Sequence, residues 1–255
     1  MKAARARRAR IVDQIATGTT SAESLAERLG VSLSTVRRDL DILARDGVLL
    51  RTYGGAVPVG ARMPEQSLAE RATDRLPQKR AIARLAAAIV QDGESVILDA
   101  GTTTGALAVE LRHRAGLRVI TSGLTTLTAL ADAPGIEVLS VGGMLRPISL
   151  SFVGPHAEQV LRRVTAARAF LGADGVVAGR GLCEATATQA ALKELMTRQA
   201  DALYVLATAD KLGRAAFQEW TPLDRPWTLI TDADATEAQL LPFQKLGIVT
   251  IIKAD

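Results

Sequence analysis

The chain has 255 residues, 48% hydrophobic and 23% charged, which excludes a disordered polymer and leaves room for one large or two modest domains with cores of their own. Its net charge of +4 is unevenly placed: residues 1–58 carry ten Lys/Arg and six Asp/Glu, whereas the other 197 residues carry 21 of each, so an acidic partner is expected for the first quarter alone. No apolar run nears the roughly 18 residues of a membrane span, the only histidines are His113 and His156, and Cys183 is the single cysteine, so a spanning segment, a zinc cluster and an intrachain disulfide are excluded.

Residues 3–17 predict a basic helix with Ile11, Val12 and Ile15 on one side; Asp13-Gln14 interrupts any apolar leader, and a cytoplasmic location is expected. Thr20-Ser21-Ala22-Glu23 fits a capping box with Thr20 as N-cap. The helix it opens carries Leu25 and Leu29 and stops at Gly30. Ser32 then caps a third helix running to Asp46, with Gly47 ending it. Val36, Leu40 and Leu43 recur at i, i+4, i+7 as a buried stripe, while Ser34, Arg37, Arg38 and Asp41 fall opposite, with Thr35 beside them. Val48 to Ala56 reads as a β-hairpin carrying Arg51 and Tyr53.

Two helices joined by a short Gly-containing turn are the helix-turn-helix arrangement, whose second helix enters the major groove. There Arg can donate two hydrogen bonds to guanine, and Ser or Thr can meet base or phosphate. On spacing alone a second reading stands: a solvated three-helix cap with Arg37-Arg38 facing water. Ser32-x-x-Thr35-Val36-Arg37-Arg38-Asp39-Leu40, preceded by Leu25-Ala26-Glu27-x-Leu29 and followed by Gly47 and Arg51-x-Tyr53-Gly54-Gly55-Ala56, resembles the DeoR family of bacterial transcriptional regulators. The resemblance implies a winged helix-turn-helix over residues 1–57, with DNA met by Ser32, Ser34, Thr35, Arg37, Arg38, Arg51 and Tyr53.

Residues 58–77, with Pro58, Pro64, Pro77 and Gly60, are expected to be a linker. Residues 78–255 then alternate short apolar runs with helical patterns. Strands are expected at 95–99, 117–121, 136–141, 168–171, 203–207, 228–231 and 249–252, and helices at 103–112, 123–132, 155–164, 186–200 and 236–246. Runs without clean alternation suit parallel strands covered on both faces, so the fold class is α/β: a winged helix-turn-helix followed by a doubly wound α/β domain.

Ligands in such sheets lie beyond the carboxyl ends of the strands. The first strand runs into Asp99-Ala100-Gly101-Thr102-Thr103-Thr104, a small loop at a helix N-terminus where backbone N–H groups and the helix dipole favour an anion. The Gly-Lys-Ser/Thr ending of a nucleotide P-loop and the Gly-x-Gly-x-x-Gly of a dinucleotide site are both absent there, so no cofactor is expected and a single phosphate fits better. Ordinary turn chemistry explains the loop equally well on local sequence. Further strand ends add Ser122-Gly123, Gly142-Gly143 with Arg146, Asp174, and Lys211-x-Gly213. Lys211 suits a phosphate, and Asp174 or Asp99 sugar hydroxyls.

The DeoR resemblance extends over nearly the whole chain, through Lys79-x-x-Ile82-Ala83, Leu98-Asp99-x-Gly101-Thr102-Thr103-Thr104, Val119-Ile120-Thr121, Val141-Gly142-Gly143-x-x-Arg146, Phe170-Leu171-Gly172-x-x-Gly175, Lys193, Lys211-x-Gly213 and Ile230-Thr231-Asp232. It implies a C-terminal sugar-phosphate sensor similar in fold to ribose-5-phosphate isomerase, an effector site that includes Lys79, and operator DNA and a phosphorylated sugar as partners. Family members often carry Asn where Ser122 stands and Ala-Asp where Ala207-Thr208 stands; both departures fall beside the expected pocket. A sugar-phosphate isomerase is the enzyme alternative, but it would need a dense acid–lysine cluster, and only Asp174 stands in the turn after the fourth strand, with Glu184 further on. A non-enzymatic regulator acting as a homo-oligomer, dimer or tetramer, is therefore expected. Cys183, Trp220 and Trp227 are expected to pack, and the histidines to lie at the surface.

Overall fold

Spacing of apolar residues decides most of the architecture. The computed structural model describes residues 2–17, 21–52, 55–58 and 65–255, and these divide between Gln66 and Ser67 into two units. Among them no helix is long and apolar enough to cross a membrane.

The N-terminal unit holds helices α1 (Lys2–Ala16), α2 (Ala22–Leu29) and α3 (Leu33–Arg45) and the antiparallel strands β1 (Leu49–Thr52) and β2 (Gly55–Pro58). Its core is Ile11 and Ile15 from α1, Leu25 from α2, Val36, Leu40 and Leu43 from α3, and Leu49 and Ala56 from the hairpin. The stripe expected on the third helix is thus the side that packs. α2 is capped one residue later than the sequence suggests. Ser21 is extended and its Oγ accepts from Ser24 N at 3.1 Å, while Thr20 lies outside the described residues. Gly30 adopts the left-handed conformation (φ 65°) that terminates α2. Gly47 (φ 71°) does the same after α3, where Val48 N returns to Leu43 O at 2.9 Å.

The C-terminal unit begins with α4 (Leu68–Thr73) and α5 (Leu76–Ile89). Seven parallel strands follow: β3 (Ser95–Leu98), β4 (Leu117–Thr121), β5 (Ile136–Ser140), β8 (Ala166–Leu171), β11 (Ala200–Leu206), β13 (Trp227–Asp232) and β14 (Val249–Ala254). Their order is β14-β13-β11-β8-β3-β4-β5, so the chain grows from β3 in one direction and from β8 in the other. Helices α5, α6 (Thr102–Leu111) and α7 (Leu124–Leu130) cover one face, and α8 (Pro155–Leu161), α9 (Ala187–Arg198) and α10 (Glu237–Gln244) the other. Both faces of the strands are apolar: Val96 and Leu98 pack to one side and Ile97 to the other, as do Phe170 against Ala169 and Leu171. The expected doubly wound sheet is what forms.

Residues 67–77 are not linker. Ser67 and Glu70 make a reciprocal capping box for α4, and Pro77 sits in the first turn of α5, where a missing N–H costs nothing. Proline there opens a helix rather than breaking the chain's order. Short antiparallel pieces also lay beyond the sequence reading: β6 (Met144–Arg146) with β7 (Ser151–Val153), and β9 (Gly175–Val177), β10 (Gly181–Glu184) and β12 (Glu219–Thr221) in order β12-β10-β9. Gly181 (φ 103°) permits the second of these, since a Cβ there would lie 2.1 Å from Thr221 O.

Candidate functional site

β3 and β8 are neighbours whose outgoing connections run to opposite sides of the sheet, and a crevice opens beyond their carboxyl ends. Of the residues the sequence singled out, Asp99, Gly101, Thr102, Thr103, Thr104, Ser122, Asp174 and Lys211 line this cleft. α6 starts there without a side-chain cap at Gly101. Its first intrahelical bond is Gly105 N to Gly101 O at 2.9 Å, which leaves the amides of Thr102–Thr104 without helical acceptors and the positive end of the dipole facing the cleft. Ser122 Oγ is buried with no hydrogen-bond partner.

The cleft's floor is an acid–lysine cluster. Lys193 Nζ, on α9, donates to Glu184 Oε1 at 2.5 Å and to Gly172 O at 2.7 Å, and lies 3.1 Å from Asp99 Oδ2. Asp99 also accepts from Ala100 N at 2.8 Å and from Gly172 N at 3.1 Å. Burial pushes the Glu184 carboxyl up to about 8, against the pull of Lys193. Burial works against the Lys193 charge too, but the Asp99 carboxylate 3.1 Å away leads the contacts that outweigh it and raise the Lys193 pKa. The sequence suggested that no such cluster forms. Its members come from the ends of β3 and β10 and from α9, so no local spacing reveals them. Lys211 Nζ donates to Ala173 O at 2.6 Å, and desolvation depresses its pKa.

Other expected site residues stand elsewhere. Lys79 Nζ donates to Arg71 O and, at 2.7 Å, to Asp74 O, tying α5 to α4 outside the cleft; burial and then Lys211 lower its pKa to about 8. Arg146 donates to Ser149 Oγ at 3.0 Å, and Ser149 and Ser151, which do line the cleft, share a 2.8 Å hydrogen bond. Gly123 N is taken by Thr121 Oγ1 at 3.0 Å and Gly142 N by Ser140 Oγ at 3.2 Å. Gly143 packs so closely that a Cβ would meet Val153 O at 2.7 Å. These glycines serve the backbone around the cleft rather than its lining. Arg71, Ser149, Ser151, Glu184, Gln189 and Lys193 line it and were not among the expected contacts. Only Lys193 and Glu184 had drawn notice in the sequence, as a family match and a possible second carboxylate.

In the N-terminal unit, α3 presents Ser34, Arg37 and Arg38 to solvent, opposite the buried Val36 and Leu40. Ser32 Oγ is occupied as N-cap, accepting from Thr35 N at 3.2 Å and lying 2.9 Å from Ser34 Oγ and 2.8 Å from Thr35 Oγ1. Arg37 reaches Glu23 at 3.9 Å with both side chains more than half exposed, a contact of little strength. Arg7 Nε meets the buried Asp39 at 2.5 Å and fixes α1 against α3. Arg51 lies on β1 opposite Ala56; Tyr53 falls outside the described residues.

Cys183 is buried, with Sγ donating to Phe217 O at 3.3 Å and accepting from Phe217 N at 3.1 Å, and burial raises its pKa. Trp227 packs edge-on against Phe243, and Trp220 carries the Arg180 guanidinium 3.9 Å from its ring centre. His113 and His156 are exposed, and no group of metal-binding side chains occurs among the described residues.

Family models match both units: the DeoR-like helix-turn-helix domain over residues 7–60 and the DeoR C terminal sensor domain over residues 74–233. The chain is 32% identical over 246 residues to the HTH-type transcriptional regulator GlpR of Haloferax volcanii, covering 96% of each. It is 32% identical over 241 residues to the lactose phosphotransferase system repressor of Lactococcus lactis, covering 93% of each. Identity to the HTH-type transcriptional regulator GolR of Listeria innocua is 32% over 224 residues, 88% of each. Ribose 5-phosphate isomerase A of Methanocaldococcus jannaschii overlays on 52% of each chain at 19% identity with a TM-score of 0.39, too partial an overlay to bear on activity.

Proposed function

Since this chain belongs to the DeoR family of transcriptional regulators, we propose that it is a cytoplasmic repressor of a carbohydrate-metabolism operon whose operator affinity is set by a phosphorylated sugar. The family is one of regulators and not of enzymes. Operator DNA is read by α3: Arg37 and Arg38 meet bases or phosphates in the major groove, with Ser34 and Thr35 alongside and Arg51 and Tyr53 on the wing. One such module covers a small footprint, so at least a dimer on paired half-sites is expected.

The observation that carries the effector assignment is the uncapped N-terminus of α6 facing a buried cleft that also holds Lys211. The phosphate sits on the Thr102–Thr104 amides and hydroxyls, with Lys211 neutralising its charge, while Asp99, Asp174 and Ser122 take the sugar's hydroxyls. A gel shift with operator DNA, titrated with a panel of sugar phosphates, tests the whole reading: one member should release the DNA. A ligand at about 100 times its dissociation constant should also stabilise the fold by roughly 2.7 kcal/mol. Release by no member, or turnover of ribose 5-phosphate in a stopped assay, would sink it.

A further inference from the structure

Arg71 projects from α4 into the cleft. Its Nη1 lies 3.3 Å from Asp174 Oδ1, yet Nε and Nη2 are buried with no hydrogen-bond partner. A guanidinium presents five donors in a planar fork matched to phosphate and carboxylate, and buried donors left empty are unfavourable. The other cations of the cleft are placed differently: Lys193 donates to Glu184 and Gly172 O, and Lys211 to Ala173 O.

The helix that carries Arg71 is lightly held. α4 has six residues, none of them buried. It is tied by its own capping box, by Leu68 N to Ile148 O at 2.7 Å, by Lys79 to two of its C-terminal carbonyls, and by Arg71 to Asp174. It starts one residue after its cap Ser67, where the C-terminal unit itself begins.

On the premise that the cleft is a phosphate site, we propose that Arg71 is its anion-sensing residue: the guanidinium leaves Asp174 for the ligand's phosphate and carries α4 with it. The phosphate at the N-terminus of α6 and the Asp174 carboxylate compete for one fork. Occupancy is thereby converted into a displacement of the first helix after the chain leaves the DNA-binding unit, and Asp174 is freed to accept from sugar hydroxyls.

Inorganic phosphate is the probe, added to the full-length chain, with affinity read by thermal shift and amide exchange followed across residues 67–75. Arg71→Met should weaken phosphate roughly tenfold or more, and Arg71→Lys less, because it keeps the charge without the fork. Asp174→Asn should tighten phosphate, since it removes the competing carboxylate. Phosphate should change exchange across α4 in wild type and not in Arg71→Met. If Arg71→Met and Asp174→Asn weaken phosphate alike, the pair is only a structural tie and the proposal fails. If Arg71→Met binds as wild type does while Lys211→Met does not, the phosphate site stands and the role of Arg71 falls. If wild type shows no response to phosphate, the phosphate site itself is overturned. Should Arg71→Met fail to fold, the opposite signs expected of Arg71→Lys and Asp174→Asn decide the matter.

Discussion

The Lys193 ammonium lies 2.5 Å from Glu184 Oε1, two buried groups joined at the floor of the cleft. Asp99 and Asp174 press further negative charge on the same spot, and burial dominates, so Glu184 takes up its proton near pH 8 instead of near its ordinary 4.5. Between those values the native state holds a proton that the unfolded chain has lost. Stability therefore falls as pH rises through that window. Glu184→Gln, which keeps the shape and removes the titration, should flatten the fall in melting temperature. An unchanged slope would mean that Glu184 stays ionised beside Lys193. Lys79 acts in the opposite sense: held down at about 8 against 10.5, it adds stability as pH rises above 8 and so does not blur the lower window.

Removing Arg37 or Arg38 should weaken operator binding and leave the C-terminal unit's ligand response intact. An Arg that reads a guanine should cost about 1–3 kcal/mol and relax specificity at one position. One that meets phosphate should lower the salt slope of log K by about 0.9. A gel-shift series at several salt concentrations separates the two, and an unaltered affinity for both variants would remove α3 from the interface.

Lys211→Ala should leave operator affinity as it is and abolish release by the sugar phosphate, because the charge it removes is needed only when an anion occupies the cleft. Thr102→Ala should act in the same direction and more weakly, since the backbone amides remain. Titration of Lys211→Ala indistinguishable from wild type would displace the phosphate from this end of the cleft.

Leu40 is fully buried in the N-terminal core. Leu40→Ala should destabilise that unit by about 2–5 kcal/mol. Operator binding should be lost on warming while ligand binding by the C-terminal unit persists. Loss of both together, followed by calorimetry, would show that the units do not melt separately.

The sheet was legible because strands such as Ile97 and Val119–Ile120 are apolar on both faces, a signal that survives without alternation. Helix α3 was legible because Val36, Leu40 and Leu43 keep a strict helical spacing. The cleft was half legible. The Gly101–Thr104 loop follows a strand directly, so its role shows in a few adjacent residues. Arg71 was hidden by Pro77, which reads as a breaker and serves as a helix start. Lys193 and Glu184 were separated from Asp99 by more than eighty residues, and only the packing of α9 against β10 and β8, beside β3, unites them. Lys79, included through the family resemblance, spends its ammonium on the carbonyl oxygens of Arg71 and Asp74, which no sequence pattern reveals.

The cleft draws its walls from Arg71 near the start of the C-terminal unit, through Thr102, Ser122, Ser149, Asp174 and Lys193, to Lys211. No short fragment of the chain contains it, since the lining spans residues 71–211. On the proposed function, a bound sugar phosphate cross-links the unit noncovalently from its first helix to the turn after β11, and by binding only the folded state it protects the chain from proteolysis. On the same proposal, abundance of this regulator in the cell should rise with the supply of that sugar phosphate.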